Sequence, residues 1–420
     1  MSSDSRPHLL LFSTLFPSVV QPQAGLFIRE RMFRVARELP LQVVSPQPWF
    51  PGQGLIRRFR PGYRPQAPAI EQQQGITIHH PRFLALPAIG RRWDGLSMAL
   101  CCWPLLRRLR AAGQIDLIDA HFGYPDGYAA VLLGRWLKRP VTITLRGTEV
   151  PHAQGVQRNR LRQAVTGATQ LFTVSDSLRR LALELGAAPE RLLVVPNGVD
   201  RACFHPLDRQ AARAELGLPA QARILITVGG LVERKGFHRV IAALPTLLQR
   251  HPQLHYLLVG GPCAEGNIEP QLREQVKALG LEGRVHFLGA LPPQRLRLPL
   301  SAADLFVLPT RNEGWANVLL EALACGLPVV ASDVGGNAEV INDPRLGTIV
   351  ALEDQAALIA AIDAWLGCEV DHGYLANYVG RNGWEQRVST LVQQFRRLAG
   401  HPGNAPATEC LTAKQSEECE

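Results

Sequence analysis

Ile224-Leu225-Ile226-Thr227-Val228-Gly229-Gly230-Leu231-Val232-Glu233-Arg234-Lys235-Gly236 is an apolar strand that ends in a glycine turn, followed by two adjacent cations and a new helix. Glycines let a ligand approach the backbone, and a helix start presents N–H groups to an anion. The pair Arg234 and Lys235 opposes the helix dipole at that position, a conflict that a bound diphosphate removes. An ordinary surface pair is the alternative. The stretch is neither a phosphate-binding P-loop nor a dinucleotide fingerprint, because GxxxxGK[ST] and GxGxxG are both absent.

The same strand-to-helix alternation extends in both directions. Apolar runs at 8–13, 41–45, 76–79, 117–120, 141–145, 171–174 and 192–195 predict strands, and helical periodicity appears at 27–38, 96–111, 127–137 and 177–184. Beyond 224–228, further strands are predicted at 256–259, 285–288, 305–308, 329–332 and 348–350. Alternation of this kind makes parallel sheets covered by helices, an α/β class. The turn Pro196-Asn197-Gly198-Val199-Asp200, followed by a helical segment at 211–216, divides the chain. The expected organisation is a first domain over 1–200, a linker over 201–221 and a second domain over 222–380. A helix at about 383–400 is expected to pack back on the first domain, with a disordered tail over 401–420. The Pro-, Gly-, Arg- and Gln-rich segment 47–74 reads as a long surface loop. Doubly wound sheets bind ligands at the carboxyl ends of their strands, so the best pocket lies in a cleft between the two domains.

A second stretch carries chemistry: Thr310-Arg311-Asn312-Glu313-Gly314-Trp315-Ala316-Asn317-Val318-Leu319-Leu320-Glu321-Ala322-Leu323-Ala324-Cys325-Gly326. Its periodicity puts Glu313 at the mouth of a helix and Glu321 two turns in. That separates them by ~12 Å along the axis, about the span from the sugar to the ribose of a nucleotide-sugar. Both are otherwise plain solvated charges. Trp315 is either a packed aromatic or a ligand contact, and Glu339, after Gly335-Gly336, is readable as a simple helix-start charge.

The chain has 420 residues, 46% of them apolar and 19% charged, which suits two globular domains. No apolar run reaches membrane-span length, and the N-terminus MSSDSRPH does not read as a signal peptide. Eight cysteines without a CxxC pair read as free thiols of a reducing cytosol. No Asp-x-Asp occurs, so no metal site and no cofactor is expected. Residues 1–200 hold 25 Lys+Arg against 13 Asp+Glu, a surplus of +12, while the rest of the chain is at −3. A basic first half suits an anionic membrane surface. Nucleic acid is not an expected partner, because no recognition motif accompanies the charge. The segment Arg91–Arg110, with two tryptophans and arginines at both ends, reads either as a membrane-surface helix or as a buried helix with basic flanks.

The ordered series Pro-Asn-Gly-Val-Asp, Val-Gly-Gly-Leu-Val-Glu-Arg-Lys-Gly, Ala-Asp-Leu-Phe-Val-Leu-Pro-Thr, Glu-x7-Glu and Gly335-Gly336-Asn337-Ala338-Glu339 resembles retaining glycosyltransferase family 4. The first half, with Gly25-Leu26-Phe27, Ala120-His121-Phe122-Gly123-Tyr124-Pro125-Asp126-Gly127 and Thr144-Leu145-Arg146-Gly147-Thr148-Glu149, resembles the teichuronic-acid and exopolysaccharide branch. The resemblance implies the GT-B fold, two doubly wound Rossmann-like domains facing each other across a cleft. It implies a UDP- or GDP-sugar donor and a glycan or lipid-linked acceptor. It also implies that Lys235 binds the donor diphosphate, Glu313 the sugar hydroxyls and Glu321 the ribose. Backbone N–H groups around Gly314, Trp315, Ala316, Asn317 and Val318 would line sugar and phosphates, and His121 would touch the sugar from the first domain. Gly25 and Arg146 would lie on the acceptor side. Two departures stand out. The family often has Gly-Arg-Leu where this chain has Gly229-Gly230-Leu231, which leaves Arg234 as the neighbouring substitute, and often has His-Gly-x-Asp where this chain has Arg146-Gly147-Thr148-Glu149. Without a nucleophilic carboxylate in the pattern, the expected chemistry is front-face transfer, with the departing diphosphate taking the acceptor proton. A non-catalytic nucleotide-sugar-binding partner of an assembly complex is the alternative.

Overall fold

The computed structural model describes residues 6–59, 63–86, 92–155, 157–263 and 265–400. An eight-stranded sheet runs, in spatial order, through Leu192–Val194, Gln170–Thr173, Val141–Leu145, Leu117–His121, Leu9–Phe12, Leu41–Val44, Ile76–His79 and Ile70–Gln73. Every pairing is parallel except the last. The central strands are buried on both faces, as the apolar run Leu9–Phe12 illustrates, because helices cover each side. A second, all-parallel sheet has the order Val285–Gly289, Leu254–Val259, Arg223–Val228, Leu305–Leu308, Val329–Ser332, Gly347–Val350. Two facing α/β units of this kind are the predicted fold class.

Each sheet reverses its winding direction once, and that reversal positions the site. In the first sheet it falls between Leu9–Phe12 and Leu117–His121, in the second between Arg223–Val228 and Leu305–Leu308. Loops leaving the carboxyl ends of such strands diverge to opposite faces and leave a crevice. The stretches singled out in the sequence, 229–236 and 309–316, are the two loops flanking the second crevice.

The helix Trp384–Leu398 returns to the first unit. Its Trp384, Val388, Leu391, Val392 and Phe395 share a core with Leu9, Leu11, Ile28 and Phe172, and Phe395 meets Phe172 edge-on at 5.8 Å. The helix Arg209–Glu215, within the expected linker, is fastened to the second unit: Arg213 donates to Asp304 at 2.7 Å and to the Ala302 carbonyl at 2.9 Å. The expected tail 401–420 lies outside the described residues.

The segment 47–74 is not a structureless loop. It contains a strand Gln47–Trp49 paired with Arg82–Leu84, a helix Gln53–Phe59, and the edge strand Ile70–Gln73. Gln74 and Gly75 have φ of 50° and 80°, the two left-handed residues of a tight hairpin turn. Gln-Gly is an uncommon way to write that turn, and the edge strand alternates exposed and half-buried residues, so no apolar run marked it. Arg91 lies outside the described residues. The helix Asp94–Ala111 buries Met98, Ala99, Cys102, Leu106 and Leu109 against the first sheet and leaves Trp93 and Leu100 more than half exposed.

Candidate active site

Lys235 ends a short turn of 3-10 helix, Glu233–Lys235, and Gly236 follows with φ 78°. The aliphatic stem of Lys235 lies over Gly229, and its Nζ meets Glu313 Oε1 in a close ion pair. Both side chains are largely buried, at 14% and 12% exposure, so this pair is held by the protein rather than averaged by solvent. The Thr310 hydroxyl lies 3.3 Å from the same carboxylate oxygen. Arg234 is already committed. It binds Glu265 bidentately at 2.6 and 2.7 Å and touches the Asn312 carbonyl at 3.1 Å. A Cβ at position 230 would sit 2.9 Å from Cys263 Sγ, so a side chain there requires Cys263 to shift.

The helix opened by this loop is Asn317–Ala324, and Ala316 at its N-cap supplies no side-chain acceptor. Its first N–H groups therefore remain available to an anion. The geometry corrects the spacing inferred from the sequence. Glu313 stands four residues before the helix rather than at its mouth, and Glu321 is its fifth residue, little more than one turn in. The extended Gly314-Trp315-Ala316 segment intervenes, so the axial rise of a continuous helix does not apply. Glu321 is half-buried, and burial pushes its carboxyl up to about 7. Val318 is half-buried beside the second core, while Trp315 packs against the cores of both units.

The opposite wall comes from the first sheet. Gly25, with φ 70°, starts the helix Leu26–Val35 against the backbone of Leu15, where any side chain would collide. Thr14 in the same loop donates its backbone N–H and hydroxyl to Asp126, and burial raises that carboxyl to about 7. His121 is fully buried with both ring nitrogens occupied: Nε2 faces Asp119 at 3.1 Å, and Nδ1 accepts from Arg146 Nε at 2.9 Å. Burial and the Arg146 charge hold its pKa near 4, so the ring is neutral. The resemblance put His121 against the sugar. In the structure its ring has no open surface, and it supports Arg146 instead. The Glu149 carboxylate accepts from the backbone N–H groups of Gly123, Arg146 and Gly147 at 2.7–3.1 Å, which ties the two loops together.

The two walls meet at several points. Gly147 packs directly on Gly314, where a side chain at either glycine would clash with the other loop's backbone. Asn197 accepts from Arg146 at 3.1 Å and donates to Asn317 at 2.9 Å. Glu339 accepts from the backbone N–H groups of Asp176 and Ser177, at 2.7 and 3.1 Å, at the start of the first unit's helix Asp176–Glu184. Asn197, Glu149 and Asp119 were not recognised as site residues from the sequence. Asn197 lies in a Pro-Asn-Gly stretch that reads locally as a turn, the partners of Glu149 are main-chain N–H groups, and Asp119 reaches Thr142 only through the pairing of neighbouring strands. Among the described residues no cluster of three or more His, Cys, Asp or Glu is placed to hold a metal ion. No helix among them is long and apolar enough to cross a membrane. A cavity of about 470 Å³ lined by Arg92, Trp93, Asn159, Arg160 and Gln163 involves none of the site residues named above.

Comparison with known proteins agrees with this geometry. Residues 26–202 match the family model Glycosyltransferase Family 4, and residues 208–386 match Glycosyl transferases group 1. A D-inositol 3-phosphate glycosyltransferase of Geodermatophilus obscurus is 31% identical over 352 residues, covering 79% of this chain and 78% of that one. A Bacillus subtilis glycosyltransferase, assigned provisionally by its name to teichuronic acid biosynthesis, is 28% identical over 334 residues, covering 78% and 81%. The Anabaena protein HepE, solved with UDP-glucose, superposes with a TM-score of 0.64 at 22% identity, covering 93% of this chain and 98% of that one, and so shares the fold. With both halves matched and the two-sheet architecture in place, the chain belongs to glycosyltransferase family 4, and it is a retaining enzyme that transfers a sugar from a nucleotide-sugar donor.

Proposed function

We propose that the chain moves a hexose from a UDP- or GDP-sugar to a glycan or lipid-linked acceptor in cell-surface polysaccharide biosynthesis. The observation that carries this reading is the Lys235–Glu313 ion pair beside an uncapped helix start. In the reaction the pair separates. Lys235 turns to the diphosphate, Glu313 is released to bind sugar hydroxyls, and the N–H groups from Gly314 to Val318 line sugar and phosphate. Glu321 takes the ribose. The charge of the departing diphosphate is met by Lys235 and helix-start dipoles that are already oriented, which is where such sites gain most of their rate. The acceptor hydroxyl attacks the anomeric carbon on the face that the diphosphate leaves, and a diphosphate oxygen takes the hydroxyl proton. Closure of the walls at Gly147 and Gly314 excludes water and aligns the substrates.

The donor class is supported by the UDP-glucose complex of the Anabaena fold relative, and the pathway by the Bacillus subtilis relative. The inositol phosphate relatives favour a second acceptor class, a small phosphorylated polyol. Peripheral attachment to an anionic membrane, at the inner face of the cytoplasmic membrane, accords with the +12 surplus of residues 1–200 and with exposed Phe59, Trp93 and Leu100. Co-sedimentation with anionic vesicles at low salt is expected, and its absence would remove that part of the reading. The central test is transfer from a panel of UDP-, GDP- and ADP-sugars by Lys235→Ala and Glu313→Ala. Each is expected to lose ~100-fold or more in kcat/KM while the far-UV spectrum is kept. Near-normal turnover of either variant defeats the assignment.

A further inference from the structure

We infer that Arg146 is an oxyanion receptor built into the first-domain wall of the cleft, taking an acidic oxygen of the substrates as the two walls close. The inference rests on nucleotide-sugar transfer at this cleft and adds a chemical requirement to it.

Arg146 is more than nine-tenths buried, yet every partner of its guanidinium among the described residues is neutral, the Glu149 carboxylate taking only its backbone N–H. Nε donates to the His121 ring at 2.9 Å, Nη1 donates to the Asn197 amide oxygen at 3.1 Å, and the guanidinium lies 5.0 Å from the centre of the Phe27 ring. Nη2 has no hydrogen-bond partner among the described residues, and no carboxylate there comes within ion-pair distance. Two other arginines differ. Arg213 is tied to Asp304 and Arg234 to Glu265. Arg31, fully buried on the Leu26–Val35 helix, resembles Arg146. It donates Nη2 to the Val195 carbonyl at 3.0 Å and leaves Nη1 unpartnered, and its positive field acts on Arg146. Enclosing a cation without an anion in contact is costly.

The support behind Arg146 is also specific. Thr142 and His121 both bond Asp119, at 2.7 and 3.1 Å. The Asp119 contact keeps the His121 proton on Nε2, which leaves Nδ1 as the acceptor that orients Arg146. On the other side Asn197 links the guanidinium to Asn317, the first residue of the uncapped helix, and the next residue along the chain, Gly147, packs on Gly314. The guanidinium is therefore held beside the contact between the two walls, and on the facing wall Arg234 is bound to Glu265 and Lys235 to Glu313. A phosphate or carboxylate oxygen meets the geometry. It comes either from the donor diphosphate or from an acidic group on the sugar or acceptor.

Calorimetric titration of the full chain and its R146Q and R146K variants separates these sources. UDP and GDP probe the diphosphate, UDP-glucuronate against UDP-glucose probes an acidic sugar, and inorganic phosphate added to the nucleotide complex stands in for an acidic acceptor. If the diphosphate is the ligand, R146Q weakens the better-bound nucleotide at least tenfold and R146K recovers part of the loss. If an acidic group elsewhere is the ligand, nucleotide affinity stays within twofold, and a tenfold preference for the glucuronate, or phosphate binding to the complex, is present in the native chain and lost in R146Q. Heat is read only from folded protein, so lost stability does not imitate lost binding. Should every affinity stay within twofold of the native chain in R146Q while K235A abolishes nucleotide binding, the oxyanion role is overturned and the donor site stands. Should neither nucleotide bind the native chain, the donor reading fails first.

Discussion

Glu339→Gln tests whether a carboxylate from one domain, seated on a helix start of the other, holds the cleft closed. In the structure both Glu339 oxygens accept main-chain N–H groups of Asp176 and Ser177. Hydrogen bonds to a charged group contribute ~1.5–3 kcal/mol each when shielded, and a carboxylate at a helix N-terminus adds ~0.3–1 kcal/mol. Glu339 is half-buried, so solvent recovers part of this. Glutamine keeps one acceptor, loses the charge and turns an NH2 toward a donor. A net loss of about 2 kcal/mol for the closed form follows, which is about a 30-fold shift in the closed-to-open ratio. The helix itself keeps its own cap, since Ser175 Oγ accepts from Leu178 N at 3.4 Å, so thermal stability changes little. Distance distributions between one spin label on each domain, without and with UDP, should show the open population rise, with kcat/KM lower by ~10- to 30-fold. An unchanged distribution together with kcat/KM within twofold of the native enzyme would refute the latch.

Glu321→Gln separates ribose binding from stability. The native carboxyl is raised from 4.5 to about 7, so its contribution to folding is fully present below pH 4.5 and is lost as pH rises through 7. The variant should therefore melt higher than the native chain at pH 8, with the gap closing toward pH 5, while nucleotide affinity falls. Native binding of UDP at pH 6.5 should release protons, measurable by calorimetry in buffers of different ionisation enthalpy, and no release would exclude an ionised Glu321 in the complex. Gly314→Ala places a methyl group against the Arg146 carbonyl, and is expected to hold the walls apart and lower transfer by ~100-fold with the melting temperature of each domain kept; normal transfer would show that this contact is not needed. Phe395→Ala removes a fully buried ring from the first-domain core, and urea unfolding should report a loss of ~3–5 kcal/mol, whereas a loss below ~1 kcal/mol would mean the C-terminal helix is not part of that core.

Much of the architecture was legible because its signals are local. The run Ile224–Val228 is apolar apart from Thr227 since helices cover both faces of its sheet, and the glycines after it mark a turn wherever the chain goes next. Lys235 and Glu313 were legible as candidates for the same reason: each lies just beyond a strand end, where doubly wound sheets place their ligands. The hairpin at Gln74-Gly75 was not, because Gln-Gly seldom writes that turn and an edge strand needs no apolar run.

The sequence by itself determined two α/β units, the crevice-facing loops and the residue types able to hold a diphosphate, because periodicity and turn chemistry act over a few neighbouring residues. Only the tertiary structure decided which charges meet. It paired Lys235 with Glu313 across 78 positions and Glu339 with the Asp176 N–H across 163, enclosed His121 behind Arg146, and left the Arg146 guanidinium without an anion. Electrostatic interaction depends on distance and local polarity in three dimensions, and neither is encoded in the spacing of residues along the chain.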